Sequence, residues 1–393
     1  MKVPKPSARN ELLAVRQKQK MARSPQAFVR GATARFYEWL TEGEHALPEG
    51  PSIWICGDCH YGNLGPIANR KGEVEIQIRD LDQTVIGNPA HDVIRLAFSL
   101  ASAARGFDLS GLVTARMIEQ IVEGYQEGLG FHGFDGRLPS VARKVLKASR
   151  RRRWGELACE RIDDPRPTIP LGKHFWPLSS AERKDLSSLA LSQPVRQLIT
   201  GLHSRPTDAD VEVLDAAFWV KGCSSLGRLR YAVLVAVHSG DERDFGLVDV
   251  KEAVKAAAPR EAHATMPRDN AERVVEGARH LAPYLGERMR PGRVLDRPVF
   301  VRELLPQDLK LEIDRMDAQE AGAIARFLAG VVGRAHGRQM SDSDRAAWAA
   351  QLNRNRSKSL EAPSWLWRSV VELISLHEGG YLDHCRRTAR IAA

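Results

Sequence analysis

Three apolar segments of strand length follow one another at residues 216–220, 230–238 and 245–251, and this pattern constrains the fold most. Turn-forming residues separate the segments at 222–227 and at 239–244. Connections this short can join antiparallel strands, whereas parallel strands need a long crossover. The sequence therefore predicts an antiparallel meander in the second half of the chain.

Helical periodicity dominates most of the remaining sequence. Apolar residues recur at helical spacing in four segments, which are residues 24–40, 91–130, 270–285 and 318–339. Short apolar runs at 52–56, 74–78 and 297–303 predict further strands, with a hairpin turn at 69–72. A connector with several prolines at 163–177 places a lobe boundary between about residues 160 and 210. We therefore predict an α+β protein with two lobes.

Composition limits the classes of protein to which the chain can belong. Its longest apolar stretches fall short of the roughly 18 residues that span a bilayer, and its basic N-terminus lacks the apolar core of a secretion signal. We therefore expect a cytoplasmic protein without a membrane partner, whose five cysteines are thiols. A net charge of +9 suits an anionic partner, such as a nucleotide, a phosphorylated substrate or nucleic acid.

The segment GDCHYGN, which begins at Gly57, carries the first group of candidate catalytic residues. Asp58 and Asn63 lie five positions apart on one loop and can place a proton acceptor beside an oxygen ligand. After the predicted hairpin, Asp80 and Asp82 offer carboxylates for magnesium, and either can be the main ligand. Phosphoryl transfer needs this set because magnesium neutralises phosphate oxygens while a carboxylate orients the attacking hydroxyl.

Two further residues are candidates for the same site. His60 can take part in acid–base chemistry or hold the loop through hydrogen bonds. Arg30, on the first predicted helix, can bind a phosphate with its planar guanidinium, or form an ion pair with a neighbouring acid.

A second group of candidates lies in the meander. A glycine-containing turn lets backbone N–H groups approach phosphates, and a lysine on the next strand can reach the α and β phosphates. The candidate nucleotide-binding residues are Gly222, Ser224, Ser225 and Gly227 in the turn, and Lys251 in the strand segment VDVKEA. An acid on the following helix would hold that lysine in place, and we expect Glu276, or else Glu272, to do so.

GDCHYGN, followed by RDLDQTVIGNPAHDVIRL, resembles the catalytic loop and metal-binding segment of the aminoglycoside and choline phosphotransferase branch of the protein-kinase-like superfamily. The chain more closely resembles a bacterial family of unknown function with FxRG, GDxHxxN, DxD, GxxSxG and VKEA motifs, from about residue 24 to residue 336. The resemblance implies that Asp58 is the catalytic base and that Asn63 and Asp80 bind metal. It also implies that Asp92 braces the catalytic loop and that Lys251 contacts phosphates.

The order of these motifs differs from that of ordinary kinases, because the catalytic loop precedes the glycine turn and the lysine. A circular permutation of a two-lobed protein-kinase-like fold reconciles the order, since domains tolerate permutation when their termini lie at the surface. Residues 206–310 would form the β-rich lobe over the nucleotide, and residues 1–205 and 311–393 the two parts of a larger helical lobe. Residues 300–305 would form the hinge near adenine, with Arg302 among the cofactor-binding residues.

The function predicted from these motifs is an ATP- and magnesium-dependent phosphotransferase whose acceptor the sequence does not identify. Nucleotidyl transfer would use nearly the same ligands, and a non-catalytic nucleotide-binding protein is a further alternative. The arginine run at 150–153, followed by Trp154, leaves RNA binding open as well. The sequence does not indicate an oligomeric state.

Overall fold

A computed structural model describes residues 3–43, 45–130, 138–152, 167–222, 225–239, 242–261, 263–311, 313, 317–354 and 362–392. The fold is mixed α+β with small antiparallel sheets. The strands are β1 (Ile53–Ile55), β2 (Leu64–Ala68), β3 (Val74–Ile78), β4 (Val85–Gly87), β5 (Phe175–Trp176), β6 (Asp210–Trp219), β7 (Arg230–Ser239), β8 (Glu242–Glu252), β9 (Met289–Val294) and β10 (Arg297–Leu304).

The helices contribute about half of the described residues. In chain order they are α1 (Arg9–Met21), α2 (Pro25–Gly31), α3 (Thr33–Glu42), α4 (Ala90–Gly106), α5 (Gly111–Gly128), α6 (Ser140–Arg151), α7 (Ser180–Ala190), α8 (Gln193–Thr200), α9 (Asn270–Leu281), α10 (Pro283–Gly286), α11 (Ala318–Gly337), α12 (Asp342–Leu352) and α13 (Ser364–Ala392). Within the described ranges, none of these helices combines the length and apolar character needed to cross a membrane.

The largest sheet has six strands in the order β5-β6-β7-β8-β10-β9, and every neighbouring pair is antiparallel. The predicted meander is therefore confirmed as β6, β7 and β8. The two outer strands were not predicted, since β5 has only two residues and β9 contains a proline and a glycine. Proline is tolerated at a sheet edge, where its missing N–H costs no hydrogen bond.

The two faces of this sheet differ because side chains alternate along each strand. Val248 and Val250 of β8 pack into an apolar core together with side chains of α1, α7 and α8. Asp249 and Lys251 point to the opposite face, and Lys251 pairs in register with Arg230 of β7. Arg230, Asp249 and Lys251 therefore share one face of the meander.

Two small sheets of two strands each precede α4. The predicted turn at 69–72 joins β2 to β3, and Leu64 pairs with Ile78. The apolar run that contains β1 does not join this hairpin, because Ile53–Ile55 pairs with Val85–Gly87 instead. This pairing brings the end of β1 close to the chain that follows β3.

Residues 24–40, which were predicted as one helix, form two. Ser24 begins α2 and its side chain accepts a hydrogen bond from the Ala27 N–H at 3.1 Å. Ala32 leaves the helical conformation, with φ −112° and ψ 39°, and α3 starts at the next residue. The break leaves Arg30 in the last turn of α2.

The helical core depends on a close approach of α5 and α11. A Cβ atom on Gly128 would lie 2.2 Å from the Gly330 carbonyl oxygen, and one on Gly333 would lie 2.1 Å from the Tyr125 carbonyl oxygen. Glycine is required at such positions because any side chain would separate the backbones. The C-terminal part of the chain thus packs against helices from its first third.

Candidate active site

The loop after β1 has a conformation that only glycine adopts easily. Gly57 has φ +73°, and a Cβ atom there would lie 2.2 Å from the Gln83 carbonyl oxygen. The Tyr37 hydroxyl donates a 2.7 Å hydrogen bond to the Gly57 carbonyl. These constraints fix the backbone immediately before Asp58.

Asp92, at the start of α4, accepts hydrogen bonds from the same loop. Its two carboxylate oxygens accept hydrogen bonds from the backbone N–H groups of Cys56, at 2.7 Å, and Gly57, at 3.0 Å. The carboxylate also accepts a hydrogen bond from His336 Nε2 at 3.1 Å. The structure thus places Asp92 in contact with the loop that the resemblance implied it would brace.

The contact between Asp92 and His336 belongs to a longer buried chain of hydrogen bonds. Trp348 Nε1 donates to the Tyr125 hydroxyl at 3.1 Å, and that hydroxyl lies 2.8 Å from His336 Nδ1. Since the Asp92 carboxylate can only accept, His336 donates through Nε2 and accepts at Nδ1 from Tyr125. Sequence reasoning did not find this relay, because its members come from four different helices.

Asp58 is held by an arginine that was not predicted. Arg95 Nε donates to Asp58 Oδ1 at 3.0 Å, and Arg95 NH2 donates to the Val29 carbonyl at 2.7 Å. Arg95 is fully buried, whereas the Asp58 side chain keeps 13% of its surface exposed. The motif HDVIR did offer a clue, since it puts Arg95 three positions after Asp92, on the same side of one helix.

Asn63 ends the loop and orients its side chain by two backbone contacts. Its amide nitrogen donates to the Asp80 carbonyl at 2.8 Å and to the Asp58 carbonyl at 3.2 Å. The amide nitrogen is therefore committed to the protein. The amide oxygen takes part in neither contact and is the atom that can bind a cation.

Lys251 reaches from the sheet to the acids that follow β3. Its Nζ lies 3.2 Å from Asp80 Oδ1, across 171 positions of sequence, and it also contacts Asp82 Oδ2. The Lys251 side chain is only 4% exposed, whereas that of Asp80 is 50% exposed. The two predicted groups of site residues therefore meet.

These charges shift the two carboxyl groups in opposite directions. Burial by itself would raise the pKa of Asp80, but the ammonium of Lys251 outweighs it and holds that pKa below its usual range. Burial and the neighbouring Asp80 charge raise the pKa of Asp82 to about 6. Asp82 Oδ1 is buried and has no hydrogen-bond partner among the described residues.

Glu276 does not join this cluster. It forms ion pairs with Arg279, at 2.9 Å, and with His280, at 3.3 Å, on its own helix α9. Lys251 is held by Asp80 and Asp82 instead. The expected lysine–glutamate pair is thus not formed, because α9 directs Glu276 towards neighbours within its own helix.

Asp249 is a further acid of the sheet and binds two arginines. Asp249 is fully buried and receives two hydrogen bonds from Arg230, at 2.9 and 2.6 Å. Arg302 also donates to Asp249, at 3.0 Å, and reaches the Arg79 carbonyl at 3.2 Å. Arg302 therefore contacts Asp249 and the segment that precedes Asp80, and Arg230 is a site residue that was not predicted.

The glycine turn borders the cleft at one end. Gly222 has φ +94°, and a Cβ atom there would lie 2.1 Å from Ser225 Oγ, which donates to the Lys221 carbonyl at 3.1 Å. Gly227 also has a positive φ, of +95°. Ser224 lies outside the described residues.

His60 is nearly buried in the loop. Burial lowers its pKa to about 4, so the imidazole is neutral at physiological pH. Its Nδ1 atom has no hydrogen-bond partner among the described residues. A neutral imidazole whose Nδ1 has no described partner can position the loop or contact a substrate. It is less suited to a role that requires a positive charge.

A single cleft collects most of the predicted residues. It is lined by Arg30, Thr33, Asp58, His60, Asn63, Asp80, Asp82, Gln83, Gly222, Ser225 and Arg230. Both sides of the cleft therefore carry hydrogen-bonding or charged groups, which suits a polar ligand.

The oxygen donors of this cleft fit a magnesium ion. Within the described residues, no three or more His, Cys, Asp or Glu side chains form a group that could hold a metal. The candidate donors are two carboxylates, Asp80 and Asp82, and the amide oxygen of Asn63. Magnesium usually takes one or two protein carboxylates and completes its shell with phosphate oxygens and waters, so this set suits a metal that arrives with a nucleotide.

The cysteines beside the loop are thiols. Cys56 and Cys59 are free and buried. A hydrogen bond to Cys56 and burial raise the pKa of Cys59 well above its usual value. A protonated thiol is a poor nucleophile, so these side chains serve as packing around Asp58.

The arginine run lies at the end of α6. Arg150 and Arg151 are exposed, and the Arg152 carbonyl accepts a hydrogen bond from Gln307 at 3.2 Å. Residues 153 and 154 lie outside the described residues. The described part of the run is thus a solvated helix end beside the segment that follows β10.

Comparison with known proteins finds one family. The model of the family described as "Uncharacterized protein conserved in bacteria (DUF2252)" matches residues 9–387 of the chain. No curated protein and no solved structure matches the chain.

Proposed function

This chain belongs to that bacterial family, and we propose that it is an ATP- and magnesium-dependent phosphotransferase. One observation carries the proposal. Lys251 on the sheet contacts Asp80 and Asp82 on the opposite side of a cleft that Asp58 and Asn63 also line. Phosphoryl transfer requires a cation that binds phosphates, acids that bind a metal, and a carboxylate that accepts the proton of a hydroxyl group.

The proposal includes a kinase-like arrangement of the chain. The antiparallel sheet carries Lys251 on its cleft face, as the small lobe of a kinase carries its phosphate-binding lysine. The catalytic loop at 56–63 comes first in the sequence, so the arrangement is circularly permuted. Residues 206–310 are the nucleotide-covering lobe in this proposal, and residues 1–205 and 311–393 make up the helical lobe.

On the sheet side, Lys251 and Arg230 provide positive charge for the nucleotide phosphates. Lys251 exchanges its aspartate contacts for phosphate oxygens when the nucleotide enters. Gly222 and Ser225 line the cleft, and in this proposal the backbone of Gly222 contacts a phosphate.

On the loop side, Asp80, Asp82 and the amide oxygen of Asn63 would hold magnesium. When bound, the metal neutralises the phosphate oxygens and lowers the charge repulsion that opposes attack. The backbone contacts of Asn63 keep its oxygen in place, and the buried Asp82 Oδ1 lacks any described protein partner that it would have to give up.

Asp58 acts as the proton acceptor in this proposal. The acceptor's hydroxyl oxygen forms a new bond to the γ phosphorus of ATP, and the bond from that phosphorus to the bridging oxygen breaks. The hydroxyl proton passes to the Asp58 carboxylate, and ADP leaves with the bonding electrons. Arg95 occupies Asp58 Oδ1, so the proton goes to Oδ2, for which no described contact is found.

ATP labelled at the γ phosphate, compared with ATP labelled at the α phosphate, tests the reaction. Only the γ label should leave the nucleotide, either onto an acceptor or onto water. Transfer of the α label would show nucleotidyl transfer, and binding without loss of either label would show a nucleotide-binding protein that is not an enzyme.

Asp58→Asn tests the role of the base. This variant should bind magnesium and ATP with unchanged affinity while turnover falls by about 10²- to 10⁴-fold, the usual contribution of a positioned general base. Asp208→Asn makes the same change at an exposed position and should match the unaltered protein. Failure of ATP to bind in the presence of magnesium would refute the proposed function.

A further inference from the structure

The charged side chains that described residues contribute to the cleft are paired, with one exception. The charged side chains that line it are Arg30, Asp58, Asp80, Asp82 and Arg230. Within the described residues, four of the five have an oppositely charged partner: Arg95 for Asp58, Lys251 for the other two aspartates, and Asp249 for Arg230. Arg30 is exposed, and the described chain provides it with no hydrogen bond or ion pair.

Arg30 lies on the side of the catalytic loop and not on the side of the sheet. A Cβ atom built on Gly62 would lie 3.8 Å from the guanidinium carbon of Arg30 and 3.4 Å from Nδ1 of His60. Gly62 itself sits between Asp58 and Asn63 in the sequence. Because Gly62 has no side chain, the Arg30 guanidinium and the His60 imidazole face the same small space. This space lies beside the proposed base, Asp58.

The cations on the two sides of the cleft have different tasks. Lys251 and Arg230 come from the sheet, which covers the nucleotide in the proposed function. Arg30 comes from α2 and borders the loop of Asp58, where the acceptor hydroxyl must sit. A guanidinium that forms no ion pair with a described acid is available to an anion, since its planar fork matches phosphate and carboxylate oxygens in pairs.

We infer that the acceptor carries its own anionic group, a phosphate or a carboxylate, and that Arg30 binds this group and so presents a neighbouring hydroxyl to Asp58. The inference rests on the proposed function and names its substrate class: a phosphorylated or carboxylated alcohol. A cationic acceptor, such as an amino sugar or choline, would be repelled by Arg30. The net charge of +9 favours the approach of the same class of ligand.

Small probes can test this class without knowledge of the natural acceptor. The protein is first saturated with magnesium and the non-hydrolysable ATP analogue AMP-PNP, whose binding is measured by calorimetry. Glycerol 3-phosphate, glycerol, choline, inorganic phosphate and acetate are then titrated separately at millimolar concentration. Glycerol 3-phosphate should bind at least about tenfold more tightly than glycerol, as a charge-assisted bidentate contact allows, and choline should not bind.

Variants of Arg30 assign the binding to this residue. Arg30→Gln should weaken glycerol 3-phosphate and phosphate binding at least about tenfold and leave AMP-PNP affinity unchanged. Arg30→Lys, which keeps the charge but loses the fork, should retain part of the affinity. Arg23→Gln removes another exposed arginine seven positions earlier and should change nothing.

Two results would overturn the inference while the proposed function stands. One is that neither phosphate, glycerol 3-phosphate nor acetate shows binding that depends on Arg30 in a protein that binds AMP-PNP. The other is that Arg30→Gln weakens AMP-PNP as much as it weakens the small anions, which would assign Arg30 to the nucleotide. If AMP-PNP itself does not bind, the proposed function fails and this inference fails with it.

Discussion

Replacing Lys251 by methionine should tighten the binding of a divalent cation to the protein without nucleotide. The Lys251 ammonium contacts both Asp80 and Asp82, so it already occupies the negative field that a metal would use. A cation that enters the cleft without nucleotide must therefore displace Lys251. Removing the ammonium removes the competitor, although it also removes a group that the proposed function assigns to ATP.

The size of the effect follows from the contact with Asp80. Two unit charges separated by the observed 3.2 Å interact by about 5 kcal/mol at an effective dielectric constant of about 20. Because the Asp80 side chain is 50% exposed, solvent screening lowers the net value to about 1–2 kcal/mol. Each 1.4 kcal/mol changes an affinity about tenfold, so we expect about tenfold tighter binding of the metal alone.

Electron paramagnetic resonance of Mn²⁺ measures this binding directly, because free and bound manganese give different signals. Lys251→Met should bind Mn²⁺ more tightly than the unaltered protein but bind AMP-PNP with magnesium at least about tenfold more weakly. Lys255→Met makes the same replacement at an exposed lysine and is the matched control. A folded Lys251→Met protein with unchanged or weaker Mn²⁺ affinity would refute the reasoning.

Three further predictions concern the loop and its supports. Tyr125→Phe leaves His336 Nδ1 without its buried hydrogen-bond donor and should lower the free energy of unfolding in urea by about 1–3 kcal/mol. If the free energy of unfolding stays the same within error, the buried hydrogen-bond relay does not support the loop. Gly57→Ala should lower the free energy of unfolding by more than the roughly 1–2 kcal/mol that a left-handed residue costs, since its Cβ atom meets a backbone carbonyl at 2.2 Å. Gly72→Ala is the control, because Gly72 has φ +83° with open space around it, and equal losses in both variants would contradict the clash. The pKa of Asp82 is raised in the folded protein to about 6 from its ordinary value of 3.8, so the folded protein keeps Asp82 protonated up to a higher pH than the unfolded chain does. From pH 4 to 6 the free energy of unfolding should therefore fall relative to Asp82→Asn, by at most about 1.4 kcal/mol per pH unit; a rise in urea titrations would contradict the shift.

The local features of the fold were predictable because they depend on neighbouring residues. The apolar runs at residues 230–238 and 245–251 and the turns between them identified β7 and β8, and the Ser-Pro start at residue 24 identified the beginning of α2. The partner of β1 was not predictable in the same way. Its three residues pair with Val85–Gly87, and an apolar run of that length fits many partners equally well.

The residues of the candidate site also divide into those that the sequence identified and those that only the structure revealed. The motif residues Asp58, Asn63, Asp80 and Lys251 were identified from residue types and spacing alone, and the structure brings them to one cleft. Arg95 was missed because its role depends on which loop packs above α4.

By itself, the order of the amino acids determined which backbone segments form and which chemical groups are available. Short-range sterics, apolar runs and the helical spacing of apolar residues are properties of neighbours along the chain. Only the tertiary structure decided that Lys251 pairs with Asp80 and Asp82 and not with Glu276, and that Arg30 lines the cleft without a described ion-pair partner. Those outcomes depend on distances between residues that are far apart in the chain. Packing sets these distances, and the spacing of residues along the sequence does not encode them.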